Sequence, residues 1–381
     1  MKERAGLYIN QPLGYKAFIP KPLPPQPLIR YAELQNHISA ADRALAKLDG
    51  VTTVLPNPEF FLSMYVRKEA LLSSQIEGTQ ASLEGVLEYE ADIIPREGVD
   101  DVREVINYIK ALDHGIKRLA EMPMSLRLIK EIHKILMDGV RGKNKTPGEF
   151  KRSQNWIGPH GATLSQAVFV PPPPEESNQA MSDLEKYMHS VNGLPPLVKI
   201  SLIHAQFETI HPFLDGNGRV GRLLITYFLF WKGILSKPLL YLSLYLKKNQ
   251  QEYYNLLMKV RNEGDWESWV KFFLIGVAET SDEAARTAKA IIGLKERIIA
   301  TLCQKSYASS GAIRLIDVIF NSPIIDAKEC GKKLKVSQVS ANQLLNRFEE
   351  IGVLKEITGK KRYKKYIFKE FVDLIAKGTE Q

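Results

Sequence analysis

The chain has 381 residues, too many for one small domain, and 44% hydrophobic with 25% charged residues excludes disorder as its main state. Two cysteines, Cys303 and Cys330, exclude a disulfide framework and read as buried, reduced thiols. Lys and Arg outnumber Asp and Glu by 52 to 43, and the formal charge of +9 points to an anionic partner: nucleic acid, nucleotide or membrane surface.

The N-terminal residues contain no apolar core of signal-peptide length. The longest apolar run, Leu223 to Trp231, falls short of the roughly 20 residues that a bilayer span requires. A soluble, cytoplasmic protein with no membrane partner is expected. Residues 1 to about 30, with Pro20, Pro22, Pro24, Pro25 and Pro27, favour an extended surface path without helix. Helical spacing then predicts helices over about 31–48 and 58–74, the second stopped by Gly78. Further helices are expected over 99–120 and 124–137. The Gly/Pro-rich stretch 141–180 predicts a short extended pair, 155–157 with 168–170. Helices resume over 175–191, 197–210, 218–232, 249–262 and 266–294. The last part predicts three short helices, 313–320, 326–334 and 337–351, then two strands, 353–358 and 362–368. That is the layout of a winged helix-turn-helix.

The stretch His211-Pro212-Phe213-Leu214-Asp215-Gly216-Asn217-Gly218-Arg219-Val220-Gly221-Arg222 carries the chemistry. Its glycines allow close backbone approach to a ligand. The helix that follows offers free N–H groups and a positive dipole end to an anion. Arg219 and Arg222 can fork onto phosphate oxygens. Asp215 is a hard oxygen ligand suited to Mg²⁺. His211 has the side chain whose ordinary pKa suits a general base. Base, metal ligand, anion cradle and cations in one loop are the parts of a phosphoryl or nucleotidyl transfer site.

This stretch resembles the signature of the Fic family, His-x-Phe-x-(Asp/Glu)-Gly-Asn-Gly-Arg-x-x-Arg, at all eight specified positions. The resemblance implies transfer of AMP from ATP to a Ser, Thr or Tyr hydroxyl of a target protein or of the chain itself. His211 would take the hydroxyl proton, Phe213 would anchor the loop, and Asp215 would hold Mg²⁺ between the α- and β-phosphates. Gly216, Asn217 and Gly218 would shape the anion hole, with Asn217 touching the α-phosphate. Arg219 would bind the β-phosphate side and Arg222 the γ-phosphate, and Val220 and Gly221 complete the nucleotide-binding stretch. One branch of the family acts as a kinase through lysine and alanine substitutions in this loop, whereas Gly216 and Arg219 keep the AMP-transferring pattern. Another branch transfers phosphocholine, which the loop alone does not exclude.

Ser73-x-x-x-Glu77-Gly78 resembles the family's inhibitory motif, which implies a Glu77 carboxylate paired with Arg222 and an autoinhibited enzyme. Residues 154–158 and 169–174 resemble the family's flap, which holds the target backbone by β-augmentation. Asn249 falls in a downstream segment that lies near the adenine in the family. The expected fold is mostly α: a helical Fic core with a small β-hairpin flap, plus a C-terminal winged helix. The expected division is an N-terminal helical segment with the inhibitory motif (1–100), a catalytic domain (101–290) and a winged-helix domain (291–381).

Two other readings stand beside AMP transfer: a DNA-binding regulator that uses the nucleotide site as a sensor, and removal of AMP at the same site with Glu77 positioning water. In residues 331–370 eleven Lys and Arg face four acids, so seven of the nine net charges lie there. That segment suits DNA or an acidic protein surface. A homodimer that buries the inhibitory segment is also compatible with the sequence. His133 and His204 read as packed or hydrogen-bonded helix residues, since no further His or Cys stands at ligand spacing.

Overall fold

A computed structural model describes residues 3–53, 58–96, 98–159, 161–191 and 193–380. The chain opens with an antiparallel hairpin, β1 (Gly6–Asn10) and β2 (Lys16–Pro20). The segment is extended, as expected, but does not stay on the surface: Ala17 and Phe18 are buried, and the strand pairing satisfies the backbone around them. Helices α1 (Gln35–Thr53), α2 (Pro58–Ile76), α3 (Leu83–Glu90), α4 (Val99–Leu119) and α5 (Leu126–Leu136) follow. Ser82 and Ser125 cap α3 and α5 by accepting from Gly85 N and Leu128 N, at 2.9 and 3.3 Å.

The expected β-pair of the flap is reduced to one antiparallel bridge, Ile157 with Phe169, because the ten or so residues between them turn through a short 3₁₀ segment, Leu164–Gln166. Phe18 N donates to Val170 O at 2.9 Å, so β2 braces the other edge of this arm. Next come α6 (Pro174–His189), α7 (Pro196–Ile210), α8 (Asn217–Trp231), α9 (Ser243–Lys248), α10 (Gln250–Glu263) and α11 (Trp266–Gln304). Both α6 and α7 start on a proline, which has no N–H to leave unsatisfied at a first turn.

Helix α7 is the centre of the molecule: every residue from Leu197 to Ile210 is buried. His204 ties it to its neighbours. Its Nδ1–H donates to Gly221 O on α8 and its Nε2 accepts from the Tyr253 hydroxyl on α10, both at 2.9 Å. Helix α11 runs past the expected end at Leu294, since the buried spacing Ile291, Leu294, Ile298, Leu302 continues without a stop. It is continuous through position 290.

The remaining elements are α12 (Ser310–Asn321), β3 (Ile324–Asp326), α13 (Ala327–Leu334), α14 (Gln338–Glu350), β4 (Lys355–Glu356), β5 (Lys365–Ile367) and α15 (Lys369–Ala376). Three strands form a sheet in the order β3-β5-β4, one strand more than the hairpin expected. Cys330 is buried but Cys303 is exposed, which corrects the expectation of two buried thiols. No described helix is long and apolar enough to cross a membrane.

Candidate active site

Helix α7 ends at His211, whose backbone is left-handed (φ 48°, ψ 60°), and α8 begins after Gly216, also left-handed (φ 75°). The turn between them is closed by Asn217. Its Oδ1 accepts from Phe213 N at 2.9 Å and its Nδ2 donates to Phe213 O at 2.8 Å. The Asn217 amide, expected at an α-phosphate, thus uses one Nδ2–H and one Oδ1 lone pair on the loop itself. Phe213 is fully buried and stacks on the His133 ring at 3.7 Å, the anchoring expected of it. His133 accepts from Gly148 N at Nδ1 (2.8 Å), so its Nε2–H donates to Asp215 O (3.0 Å). Burial pushes the His133 pKa down to about 4, which keeps that tautomer neutral.

Ser73, Glu77 and Arg222 meet. Arg222 Nε donates to Ser73 Oγ at 2.7 Å, and Nη2 donates to Ser73 O at 2.9 Å and to Glu77 Oε1 at 2.7 Å. Gly218 is what admits the carboxylate: a Cβ there would stand 2.3 Å from Glu77 Oε1. Glu77 therefore lies against the N-terminal turn of α8, where a helix end attracts an anion. Gly78 (φ 94°) turns the chain away after α2. Burial tends to raise the Glu77 pKa. The charge and hydrogen bond of Arg222 outweigh it, with help from Arg219 and Arg141, and hold the carboxyl below its usual range.

Arg219 is buried and held by Glu104 at 3.4 Å, and its Nη2 lies 3.9 Å from Asp215 Oδ1. Glu104 also accepts from the Thr79 hydroxyl at 2.8 Å, just beyond the Ser73–Gly78 segment. Asp215 keeps 38% of its side chain exposed, and its Oδ1 accepts from Gly216 N at 2.6 Å. Gly142 (φ 85°) leaves room for it, since a Cβ there would stand 2.7 Å from Asp215 Oδ2. Among the described residues no cluster of three His, Cys, Asp or Glu could hold a metal. One accessible carboxylate beside an anion site is nevertheless the donor set for Mg²⁺ arriving with phosphates.

Val220 and Gly221 face α7: Val220 is fully buried, and a Cβ on Gly221 would stand 2.3 Å from Glu208 Oε1. Asn249 forms the junction of α9 and α10, donating its amide to Tyr245 O at 2.9 Å. The next residue, Gln250, donates to Ile76 O at 3.1 Å, which places this junction at the end of α2. His211 stands at the start of the loop, directly after α7. Burial, then Lys151 and Arg261, lower its pKa to about 3, so the imidazole is neutral and able to accept a proton.

Residues 123–229 match the Fic/DOC family, and residues 35–117 match the family's N-terminal region. The chain carries a Fic domain. It is 29% identical over 210 residues to a protein adenylyltransferase Fic of Drosophila grimshawi and 28% identical over 190 residues to that of Drosophila erecta. These matches cover 54% and 48% of this chain but only 39% and 34% of the relatives, so the chain spans about two fifths or less of their length. Its fold is similar to a Fic family protein from Desulfovibrio desulfuricans G20 (TM-score 0.56, 21% identity, 87% of this chain and 95% of that one). It is also similar to a Fic domain containing signaling protein from Bacteroides thetaiotaomicron (TM-score 0.52, 18% identity, 65% of this chain and 97% of that one). The Fic loop thus lies inside the matched region, with the Ser73–Glu77 segment in the matched N-terminal part. Sequence reasoning did not single out Glu104, Lys151 or Asn155 beside this loop, and it gave His133 a packing role only. Their partners in the loop stand 56 to 115 residues away, a separation that leaves no local signal.

Proposed function

We propose that the chain is a protein adenylyltransferase, autoinhibited by Glu77. The observation that carries this reading is the Glu77 carboxylate lying on Arg222 against the first turn of α8, inside a complete Fic loop. In the reaction, a target hydroxyl oxygen bonds to the α-phosphorus of ATP, the bond to the β-phosphate oxygen breaks, and pyrophosphate leaves. His211 takes the hydroxyl proton. The phosphates displace Glu77 and recruit Arg222, and the N–H groups at the start of α8 face the anion. Asp215 would hold Mg²⁺, which when bound neutralises phosphate charge. The flap arm bearing Trp156 and Val168, 41% and 61% exposed, supplies the edge for target backbone. We assign the catalytic part to residues 101–290, the inhibitory segment to 1–100 and an appended module to 291–381. Purified protein incubated with labelled ATP and Mg²⁺ tests this reading, and transfer requires label on protein together with released pyrophosphate.

The release of Glu77 has a handle in Gln75, two residues earlier in the last turn of α2. Its Nε2 donates to Thr379 O at 3.1 Å, and its Oε1 accepts from Lys247 Nζ at 2.7 Å. Lys247 also donates to Glu380 O at 3.0 Å, so residues after α15 brace the inhibitory turn. Lys247→Met is expected to raise basal labelling about two- to tenfold, the worth of one or two hydrogen bonds, and to add nothing in a Glu77→Gly background. An equal rise in both backgrounds would show that the brace does not act through Glu77.

A second reading concerns the appended module as a DNA-binding surface. Four acids there are engaged: Asp326 caps α13, Glu329 pairs with Lys333, Glu350 accepts from Tyr307, and Glu356 closes the β4–β5 turn. Lys335, Lys360, Lys361 and Arg362 are exposed and make no ion pair among the described residues. The exposed face of α14, with Gln338, Ser340, Asn342 and Gln343, adjoins β5 where Asn346 meets the Tyr366 hydroxyl at 3.3 Å. Duplex DNA binding should weaken steeply with salt. Replacing Lys360, Lys361 and Arg362 by alanine should lower the salt slope by about three. Binding indifferent to salt would refute this reading.

A further inference from the structure

Lys151 is a lysine with 1% of its surface exposed and no carboxylate partner among the described residues. Its Nζ donates to Asn155 Oδ1 at 2.8 Å, to Ile210 O at 3.3 Å and to His211 O at 3.1 Å. All three of its N–H groups are thereby used, two of them on carbonyls at the C-terminal end of α7, the negative end of that helix. Its backbone N donates to Pro212 O at 2.8 Å. Asn155, itself nearly buried, continues the pattern: Nδ2 donates to His211 O at 3.0 Å and to Phe213 O at 2.8 Å. Four consecutive carbonyls, 210 to 213, are held by two residues from the lead-in to the flap.

The need for such a clamp is local. A non-glycine residue in the left-handed region costs about 1–2 kcal/mol, and His211 adopts it. The Nδ1 of its ring is buried and meets no acceptor in full hydrogen-bond geometry among the described residues, only the backbone of Glu208 on α7. The orientation of the imidazole thus depends on the backbone around it, and residues 210–213 of that backbone are held by Lys151 and Asn155.

We propose that Lys151 and Asn155 are positioning residues that lock the backbone of His211 so that its imidazole meets the target hydroxyl. The inference rests on His211 being the base of the transfer reaction. The same cation also acts through space. With burial and Arg261 it keeps the imidazole neutral, which is the form that accepts a proton. Burial lowers the Lys151 pKa to about 7, and its three acceptors and the helix end are what favour its charged form. Because the lysine precedes the flap arm by only a few residues, it also ties target presentation to the base.

The test uses the full chain with Glu77→Gly as parent, with steady-state AMP transfer followed at varied ATP. Lys151→Met removes the buried charge at nearly constant shape. Asn155→Asp keeps the contact to Lys151 but turns the two amide donors into acceptors facing carbonyls. Each is expected to lower kcat about ten- to a hundredfold, as misplacement of a catalytic group does, with KM for ATP unchanged within about twofold. The double variant should lose little more than the worse single one, because both act on one clamp. If Lys151→Met does not fold, Asn155→Asp carries the test alone. A folded variant with parental kcat, or one with raised KM and intact kcat, overturns the inference. His211→Ala in the same background separates the two claims. If it still labels, the base assignment fails. If it is dead while both clamp variants remain active, only the clamp fails.

Discussion

Replacing Glu77 by glycine is expected to raise AMP labelling about ten- to a hundredfold over the native chain, measured as the rate of incorporation from labelled ATP with Mg²⁺. The magnitude follows from the contact removed. A hydrogen bond to a charged group contributes roughly 1.5–3 kcal/mol, and the ATP phosphates must break one to reach Arg222. A second effect works in the same direction: Glu77 also sets a negative charge against the first turn of α8, where phosphate must come. Glu77→Gln should raise the rate less, because its amide oxygen still accepts from Arg222. The sign of the pH dependence follows from the lowered pKa of Glu77. A carboxyl held below its usual range stays ionised as pH falls and loses its pairing only on passing through that lowered value. Acidification of the native chain to about pH 5 should therefore not mimic the glycine variant. Mass spectrometry of the variant after ATP exposure locates the added AMP. If no protein gains that mass, the chain is not an AMP transferase.

His211→Ala in the Glu77→Gly background is expected to lower the labelling rate by about 10²–10⁴-fold, the usual contribution of a positioned base. ATP affinity should stay close to that of the parent, because the binding groups are elsewhere: Arg222, Asp215 and the start of α8. Nucleotide binding by calorimetry, run beside the rate assay, separates the two effects. In the free protein the imidazole pKa is pulled down to about 3 by burial and two nearby cations. An incoming anionic nucleotide opposes those cations and strengthens the base when substrate is in place. A variant that binds ATP normally and still labels at the parental rate would assign the proton to another group.

The loop from His211 to Arg222 was legible because its chemistry is local. Twelve adjacent residues carry the turn glycines, the helix start, the carboxylate and both arginines, and short-range sterics place them without help from distant chain. The helix that ends near Gly78 was legible for the same reason, and so were most helices from their apolar spacing. Other features were not. The hairpin β1–β2 forms because Ala17 and Phe18 find a core to enter, which a proline-rich composition does not announce. The flap shrinks to one bridge, and α11 runs through the point where two domains were expected to part. In the site, Arg222 meets Glu77 across 145 positions, Arg219 meets Glu104 across 115, and His211 is held by a lysine 60 residues earlier. The residue types alone permitted many such pairs. Packing of α2, α4 and the flap lead-in around α7 and α8 selected these, since a buried charge or carbonyl must take whichever partner the fold brings within 3 Å or so. The sequence by itself determined the loop motif and the carboxylate that could face it. Only the tertiary structure decided that the two touch, and which buried groups bind the backbone of residues 210–213.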